Sequence, residues 1–402
     1  MARPSLSIVI PTRNRPALAR VAVESVLDGM PKDVEVVVAD NSDTPTAIPN
    51  DPRVTVLPSP PRMITMTENW ERALAATRGE WLTFMSDKHR IVPRLYLRVL
   101  ELALAARTRL ATFERASIYQ DIAPDAITAD ALWQSPGRLQ MPATPATWST
   151  RKTADTLAEW YRVIRGAKSR PQIYRGIVHR SVVDAAMQRT GFFFFGTCPD
   201  YASGLQSMAE VDEYVSTNLP AMLVQIPTKD ITAWSPAQSL DKGGKLGTER
   251  MREVGAASFA KHSLPITVTS SILETLLEFR SLRPDVGARL AVDWDRYAWL
   301  ASNETENATY MSSTERLRSH ALIARATQSD GLAPGPLVTL ARVIVSRRHP
   351  GLSAAYRRFM GMLGSDREAH DKAVRDFHAV DSLQAARREL ERVFAEPRRA
   401  VS

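Results

Sequence analysis

The chain has 402 residues, 44% hydrophobic and 24% charged, with a formal net charge of +8 at pH 7. Its single cysteine, Cys198, excludes a disulfide framework and a cysteine-based zinc site within one chain. Its basic residues are scattered, mostly as arginine, with no basic block interleaved with aromatics, which excludes a dedicated nucleic-acid reader.

The composition is that of a soluble globular protein, long enough for one large domain and a second. The positive charge suits nucleotide diphosphates and anionic lipid headgroups. The N-terminal apolar run is too short for a secretory signal, and no window approaches the roughly 18 apolar residues of a membrane span. A cytoplasmic protein is expected.

Leu6 to Ile10 is a continuous apolar run that suits a buried parallel strand. Pro11-Thr12-Arg13-Asn14-Arg15 ends it, and Pro16 opens a helix that Gly29 stops. Val34 to Ala39 is a second strand, ending in Asp40-Asn41-Ser42-Asp43, and Val54 to Val56 is a short third. Thr65 or Thr67 caps the next helix, which Gly79 closes. Trp81 to Met85 is a fourth strand, followed by Ser86-Asp87-Lys88-His89-Arg90 and then by Pro93, which opens another helix. The order β-α-β-β-α-β, with polar clusters after strands, predicts an α/β nucleotide-binding sheet. In such sheets ligands collect beyond the carboxyl ends of the strands.

Further on, Leu110 to Phe113 is expected as a strand. Residues 120 to 150 have no clear period and are expected as an insertion. Thr153 to Ile164 reads as a helix, Ile173 to His179 as a strand, with a helix from Ser181. Pro199 suits a first helical turn, placing Asp200 at a helix N-terminus, where the dipole favours the carboxylate. Val211 to Val224 reads as strands or a hairpin turning at Asn218-Leu219-Pro220.

Four blocks then carry a resemblance. Ser7 to Arg15, Val36 to Ser42, Glu68 to Leu74 and Gly79 to Asp87 stand in the order of the motifs of a family 2 glycosyltransferase with the GT-A fold. The resemblance spans about residues 5 to 230. It implies a GT-A (Rossmann-like), mostly parallel sheet flanked by helices, and an inverting transfer of sugar from a nucleoside-diphosphate donor, UDP first, to an acceptor hydroxyl. A glycan or lipid-linked glycan acceptor in bacterial-type surface glycan or glycoconjugate synthesis fits that activity.

The candidate residues follow. Pro11, Thr12, Asn14, Arg15, Asp40, Asn69, Ser86, Asp87 and Lys88 are expected to bind the nucleotide sugar, with Asp40 accepting from a uracil-type imide. Asp87 and His89 are expected to hold a divalent cation, Mn²⁺ or Mg²⁺, on the diphosphate. The family commonly shows an acidic run here; this chain has Asp87-Lys88-His89, so Lys88 standing in for part of the metal's charge is the alternative. The family's catalytic base maps onto Asp200, with Pro199 where an acidic partner is usual. Plain structural roles compete with each assignment: a helix cap for Asn14, a loop cap for Asp40, a helix-start carboxylate for Asp200 and a surface turn for residues 87 to 89. The missing acidic residues also allow a catalytically degenerate GT-A binding or scaffold protein.

From about residue 236 strand patterns become scarce. The expected division is a transferase domain over 1–235 and a helical domain or sheath over 236–402. Helices are expected at about 249–260, 267–281, 286–301, 313–327, 336–346, 352–362 and 366–394, after a Gly/Lys-rich linker at 239–247. Leu337 to Arg348 and Tyr356 to Met360 are basic and amphipathic, so peripheral contact with an anionic membrane is the alternative to packing on the protein's own surface.

Overall fold

The computed structural model describes residues 3–62, 64–142, 144–160, 170–227, 262, 264–288, 290, 292–308, 311–328 and 377–399. The first four strands are β1 (Leu6–Thr12), β2 (Val34–Asp40), β3 (Val54–Leu57) and β4 (Trp81–Phe84). Two helices join them, α1 (Pro16–Leu27) and α2 (Met66–Ala75). Thr65 caps α2 in a reciprocal capping box with Glu68, which is why the helix starts there and not at Thr67. These four strands are parallel, in the order β3-β2-β1-β4.

Beyond β4 the sheet becomes mixed. It continues through β9 (Gly176–His179), β6 (Leu110–Gln120), β10 (Glu213–Ile226) and β8 (Thr147–Lys152). β9 is antiparallel to both β4 and β6, and β10 is parallel to β6. The expected α/β class, with a helical C-terminal region, is therefore the one found.

Several boundaries differ from the sequence reading. Where the sequence reads as strands or a hairpin, over Val211 to Val224, Glu213–Ile226 is one long strand. Pro220 sits where the pairing of β10 with β6 shifts register, and a proline, lacking an N–H, is tolerated at such an irregularity. Ile173–Arg175 is a single 3-10 turn, and the strand begins only at Gly176. Thr83 donates its hydroxyl to the carbonyls of Ile173 (3.1 Å) and Gly176 (2.8 Å), tying that turn to β4. The stretch 120 to 150 is ordered: α4 (Ala129–Gln134) leads to β7 (Gly137–Gln140), antiparallel to β6. A short strand unseen in the sequence, β5 (His89–Ile91), pairs antiparallel with β10.

Helices cover both faces. On one, α1, α3 (Pro93–Ala105) and α4 bury Leu18, Val26, Leu95, Tyr96 and Leu132. On the other, α2, α6 (Arg180–Thr190) and α7 (Pro199–Ala209) bury Trp70, Val182 and Leu205. That second face also receives the C-terminal helices α8 (Val268–Leu282), α9 (Trp294–Asn307) and α10 (Ser313–Gln328) through Leu273, Phe279, Tyr297 and Ile323. The helix expected at 286–301 begins later, where Asp293 caps it.

The end of the chain also departs from expectation. Of the helix expected over 366–394, residues 366–376 lie outside the described residues; beyond them β11 (Phe377–Val380) pairs with β7, α11 (Leu383–Val393) buries Leu383 and Leu390 in the first core, and β12 (Arg398–Arg399) pairs with β8. The linker at 239–247, the helices at 249–260, 336–346 and 352–362, and the basic segments 337–348 and 356–360 lie outside the described residues. No helix among the described residues is long and apolar enough to cross a membrane.

Candidate active site

Strand order places the crevice. The chain leaves β1 for β2 on one side and returns to β4 on the other, so the carboxyl ends of β1 and β4 flank a topological switch point. Their pairing stops at Val9 and Phe84, so Pro11, which lacks an N–H, leaves no donor stranded on that side. Thr12, ending β1, donates its hydroxyl to Oδ2 of Asp87, just past β4, at 3.0 Å. Arg15 Nη1 reaches Oδ1 of the same carboxylate at 3.0 Å, and the Ser86 hydroxyl lies 3.3 Å from it. The sequence-predicted residues Thr12, Arg15, Ser86 and Asp87 are thus brought together.

The wall beside them is built by the loops after β1 and β2. Asn14, at φ 54°, bonds Asp43 both ways, at 2.7 Å through its amide nitrogen and 2.9 Å through its oxygen. Asp40 is buried and accepts from the backbone N–H of Ser42 (3.0 Å) and Thr46 (2.8 Å), the loop-capping role. Asn69 is also buried, donating to the Ala39 carbonyl (3.0 Å) and accepting from Arg72 (2.8 Å). These three shape the crevice through the backbone. Trp70 is wholly core, against Phe84 and Phe194.

His89 is held in β5. Its Nε2 lies 3.0 Å from Nη1 of Arg115, and its Nδ1 lies 3.3 Å from the amide nitrogen of Ser86. A guanidinium only donates, so Nε2 accepts. Burial, with Arg115, Lys88 and Arg90 nearby, holds the ring neutral, its pKa well below the ordinary histidine value. A neutral ring has one acceptor nitrogen, and Arg115 takes it. Lys88 is pulled down to about 8, by burial first and then by Arg15, with Asp87 opposing. Arg90 is fully buried and bonds the carbonyls of Asp87 and His89, each at 2.7 Å.

This donor set does not fit a divalent cation. The lone pair at His89 Nε2 is engaged by Arg115, and Asp87, the one carboxylate of the two expected ligands, is already ion-paired to Arg15 and bonded by Thr12. Among the described residues the group of three close metal-type ligands is His262, Glu274 and Glu278, which includes neither Asp87 nor His89.

Asp200 stands in the first turn of α7, half-buried, with its pKa raised to about 6. Burial is the main cause, opposed by backbone N–H groups and by Arg115 and Arg175. The loop before it is fixed on three sides. Glu71 accepts the backbone N–H of Phe193 (2.7 Å) and of Phe194, Thr67 donates to the Gly196 carbonyl (2.8 Å), and Glu274 accepts from Thr197. Of the four phenylalanines, Phe193, Phe194 and Phe195 are core and Phe192 is only partly buried.

Tyr174 links the two halves of the site. Burial raises its hydroxyl pKa well above the usual value, and the charges of Asp200, Asp87, Arg15 and Arg115 all act on it. Its ring meets His89 edge-on at 5.7 Å. Sequence reasoning missed Tyr174, Arg175 and Arg115. Arg115 sits in an alternating strand pattern that marks a face and not a site, and Ile173-Tyr174-Arg175 reads as an ordinary strand start.

The crevice and its carboxylates define the class: an α/β domain with a candidate site at the carboxyl ends of its strands. Residues 7–163 match the family model described as Glycosyl transferase family 2, so the resemblance carried by the motifs is found by comparison over that span. No curated protein compared with the chain matches it. Among solved structures, S. aureus TarS 1-349 in complex with UDP-GlcNAc aligns at 10% identity and a TM-score of 0.41, covering 81% of this chain and 91% of that one. A second structure, S. aureus TarS 1-349, aligns at 11% identity and a TM-score of 0.38, with 81% and 91% covered. Likeness at that level assigns no ligand here.

Proposed function

We propose that the protein is an inverting glycosyltransferase that moves a sugar from a nucleoside diphosphate, UDP in the first instance, to an acceptor hydroxyl. The observation that carries this reading is the joining of Thr12, Arg15 and Asp87 at the β1/β4 switch point, with Tyr174 between Asp87 and Asp200 in electrostatic terms. The match of residues 7–163 to family 2 supports it.

In this mechanism the nucleoside lies against the wall built by Asn14, Asp40 and Asp43, and the diphosphate lies over Arg15 and Lys88. Asp200 takes the proton of the acceptor hydroxyl. That oxygen attacks the anomeric carbon as the bond to the diphosphate breaks, and the leaving nucleoside diphosphate carries away the electron pair. One displacement inverts the anomeric centre. A base with a pKa near 6 is ionised at neutral pH yet more basic than an ordinary aspartate.

The proposed acceptor is a glycan or lipid-linked glycan in surface glycan synthesis at the cytoplasmic side of a membrane. Residues 1–235 are proposed as the transferring domain and 236–402 as its support. The test is a screen of nucleotide sugars for slow donor hydrolysis, which reports donor identity without the acceptor. A chain that hydrolyses none and binds neither UDP nor GDP is not a transferase, and the scaffold reading then takes its place.

A further inference from the structure

We infer that the positive charge opposite the donor diphosphate is supplied by Arg15, Lys88 and Arg115 in place of a divalent cation. The inference rests on the proposed nucleotide-sugar reading and specifies how that site holds its anion.

A metal needs several free oxygen or nitrogen lone pairs on one side of it. Here, of the two expected ligands, Asp87 is the one carboxylate, already ion-paired to Arg15 and bonded by Thr12, each at 3.0 Å, and Arg115 takes the His89 Nε2 lone pair at 3.0 Å. An ion there would also meet positive charge. Arg15 is ion-paired to Asp87, and Lys88 lies within the fields of Arg15, Asp87 and Arg115 together. Like charges this close repel a further cation and attract an anion.

The same groups are placed to serve. Arg15, Lys88 and Arg115 are only partly buried, whereas Asp87, His89 and Arg90 lie beneath them. The exposed layer is cationic and the buried layer fixes it. Asp87 orients Arg15, and His89 orients Arg115. β10 sets the second pair, because Met222 is registered with Ile91 of β5 on one side and with Arg115 of β6 on the other. Arg115 also feels Glu114 and Asp200, so it spans from the diphosphate side toward the base. Guanidinium groups present paired N–H donors matched to phosphate oxygens, and an ammonium adds a compact point charge. Together they neutralise a leaving diphosphate without a metal.

The experiment is calorimetric titration of the full chain with UDP and with uridine, in EDTA and in excess Mn²⁺ or Mg²⁺. UDP affinity in EDTA is expected within about threefold of that with metal, and UDP is expected to bind about tenfold or more tightly than uridine in both. Lys88→Met and Arg115→Met are each expected to lower UDP affinity about tenfold while leaving uridine affinity unchanged. Asp87→Asn separates the models by sign. Its oxygen stays on Arg15 while its amide N–H turns to the Thr12 hydroxyl, which can accept, so Arg15 stays oriented, a like charge leaves the diphosphate, and UDP affinity in EDTA holds or rises. A loss of UDP affinity of more than about tenfold in EDTA, restored by Mn²⁺ and abolished in Asp87→Asn, overturns the inference and leaves the transferase reading intact. Absence of UDP and GDP binding under every condition, with far-UV circular dichroism showing a folded chain, overturns the transferase reading itself.

Discussion

Glu274, on the C-terminal helix Val268–Leu282, accepts both the backbone N–H (2.9 Å) and the hydroxyl (3.0 Å) of Thr197, three residues before Asp200. Thr275, next to it, accepts the N–H of Cys198 at 3.1 Å. The C-terminal region therefore holds the loop that delivers the candidate base. Glu274→Ala leaves two donors without this acceptor, at an expected cost of about 1–3 kcal/mol in stability. It should lower the transfer rate about tenfold or more, with UDP affinity unchanged, because the diphosphate groups stand on other strands. Steady-state kinetics beside calorimetry checks this, and an equal loss in UDP affinity would refute it.

The base predicts a pH profile. With its pKa raised to about 6, Asp200 is protonated in mild acid, so transfer should fall as pH drops through about 6. Asp200→Asn should bind UDP normally and lose transfer by about 100-fold or more. Full activity in that variant would remove Asp200 as base.

The same carboxylate has a thermodynamic signature. Its folded pKa of about 6 exceeds the 3.8 of an unperturbed aspartate, so the native state binds the proton more tightly. Its contribution to stability is therefore greatest below the unfolded value and is lost as pH rises through the folded one. Asp200→Asn, which cannot ionise, should be more stable than the parent at pH 8 by on the order of 1–3 kcal/mol, and much closer to it near pH 4. Thermal melts at the two pH values read the difference. Equal offsets at both would mean the carboxylate's charge is not strained.

Gly79 enters β4 beside the start of β1. A Cβ there would lie 2.4 Å from the Ser7 nitrogen and 2.5 Å from its hydroxyl oxygen. Its N–H is also spent on Ser7 Oγ (2.7 Å) and Glu35 (3.0 Å). Gly79→Ala should cost about 1–3 kcal/mol, since backbone must move to admit a methyl group. Chemical denaturation measures it, and a neutral result would show that β1 and β4 slide freely there.

Arg387 ties the last helix to the first. It donates to the Asp28 carboxylate and carbonyl, each at 2.7 Å, and stands over the Trp133 ring at 5.9 Å. Arg387→Ala should cost about 1–3 kcal/mol and free the final segment before global unfolding. Limited proteolysis after residue 376 reads that order, and unchanged resistance would place the strength of the dock in Leu383 and Leu390 alone.

Much of the first half was legible in the sequence. Continuous apolar runs at Leu6 and Val34 fixed the buried parallel strands. The prolines at 16, 93 and 199 and the glycine at 29 marked helix starts and a stop, because their backbone limits act locally, whereas α2 ends at Ala75, before Gly79, whose place is set by its close approach to Ser7. Polar clusters at strand ends then located the crevice. Thr12 and Asp87 meeting across 75 positions follows from sheet order, which the β-α-β-β-α-β pattern already implied.

What the chain order left open was decided by partners distant in sequence. His89 looked like a ligand because a histidine two residues past an aspartate has the right chemistry. Only the pairing of β5 with β10 turns its ring to Arg115 on β6. Asp40 and Asn69 looked like nucleotide contacts, yet their side chains close loops whose geometry exists only after folding. The return of residues 377–399 to the sheet edges had no local signal, since two four-residue or shorter strands carry no periodicity of their own. The sequence by itself determined where the strand-end crevice must lie. The tertiary structure decided its charge: Arg15, held by the buried Asp87, and Arg115, held by the buried His89, stand 100 positions apart yet both act on Lys88, and long-range packing alone sets that sum.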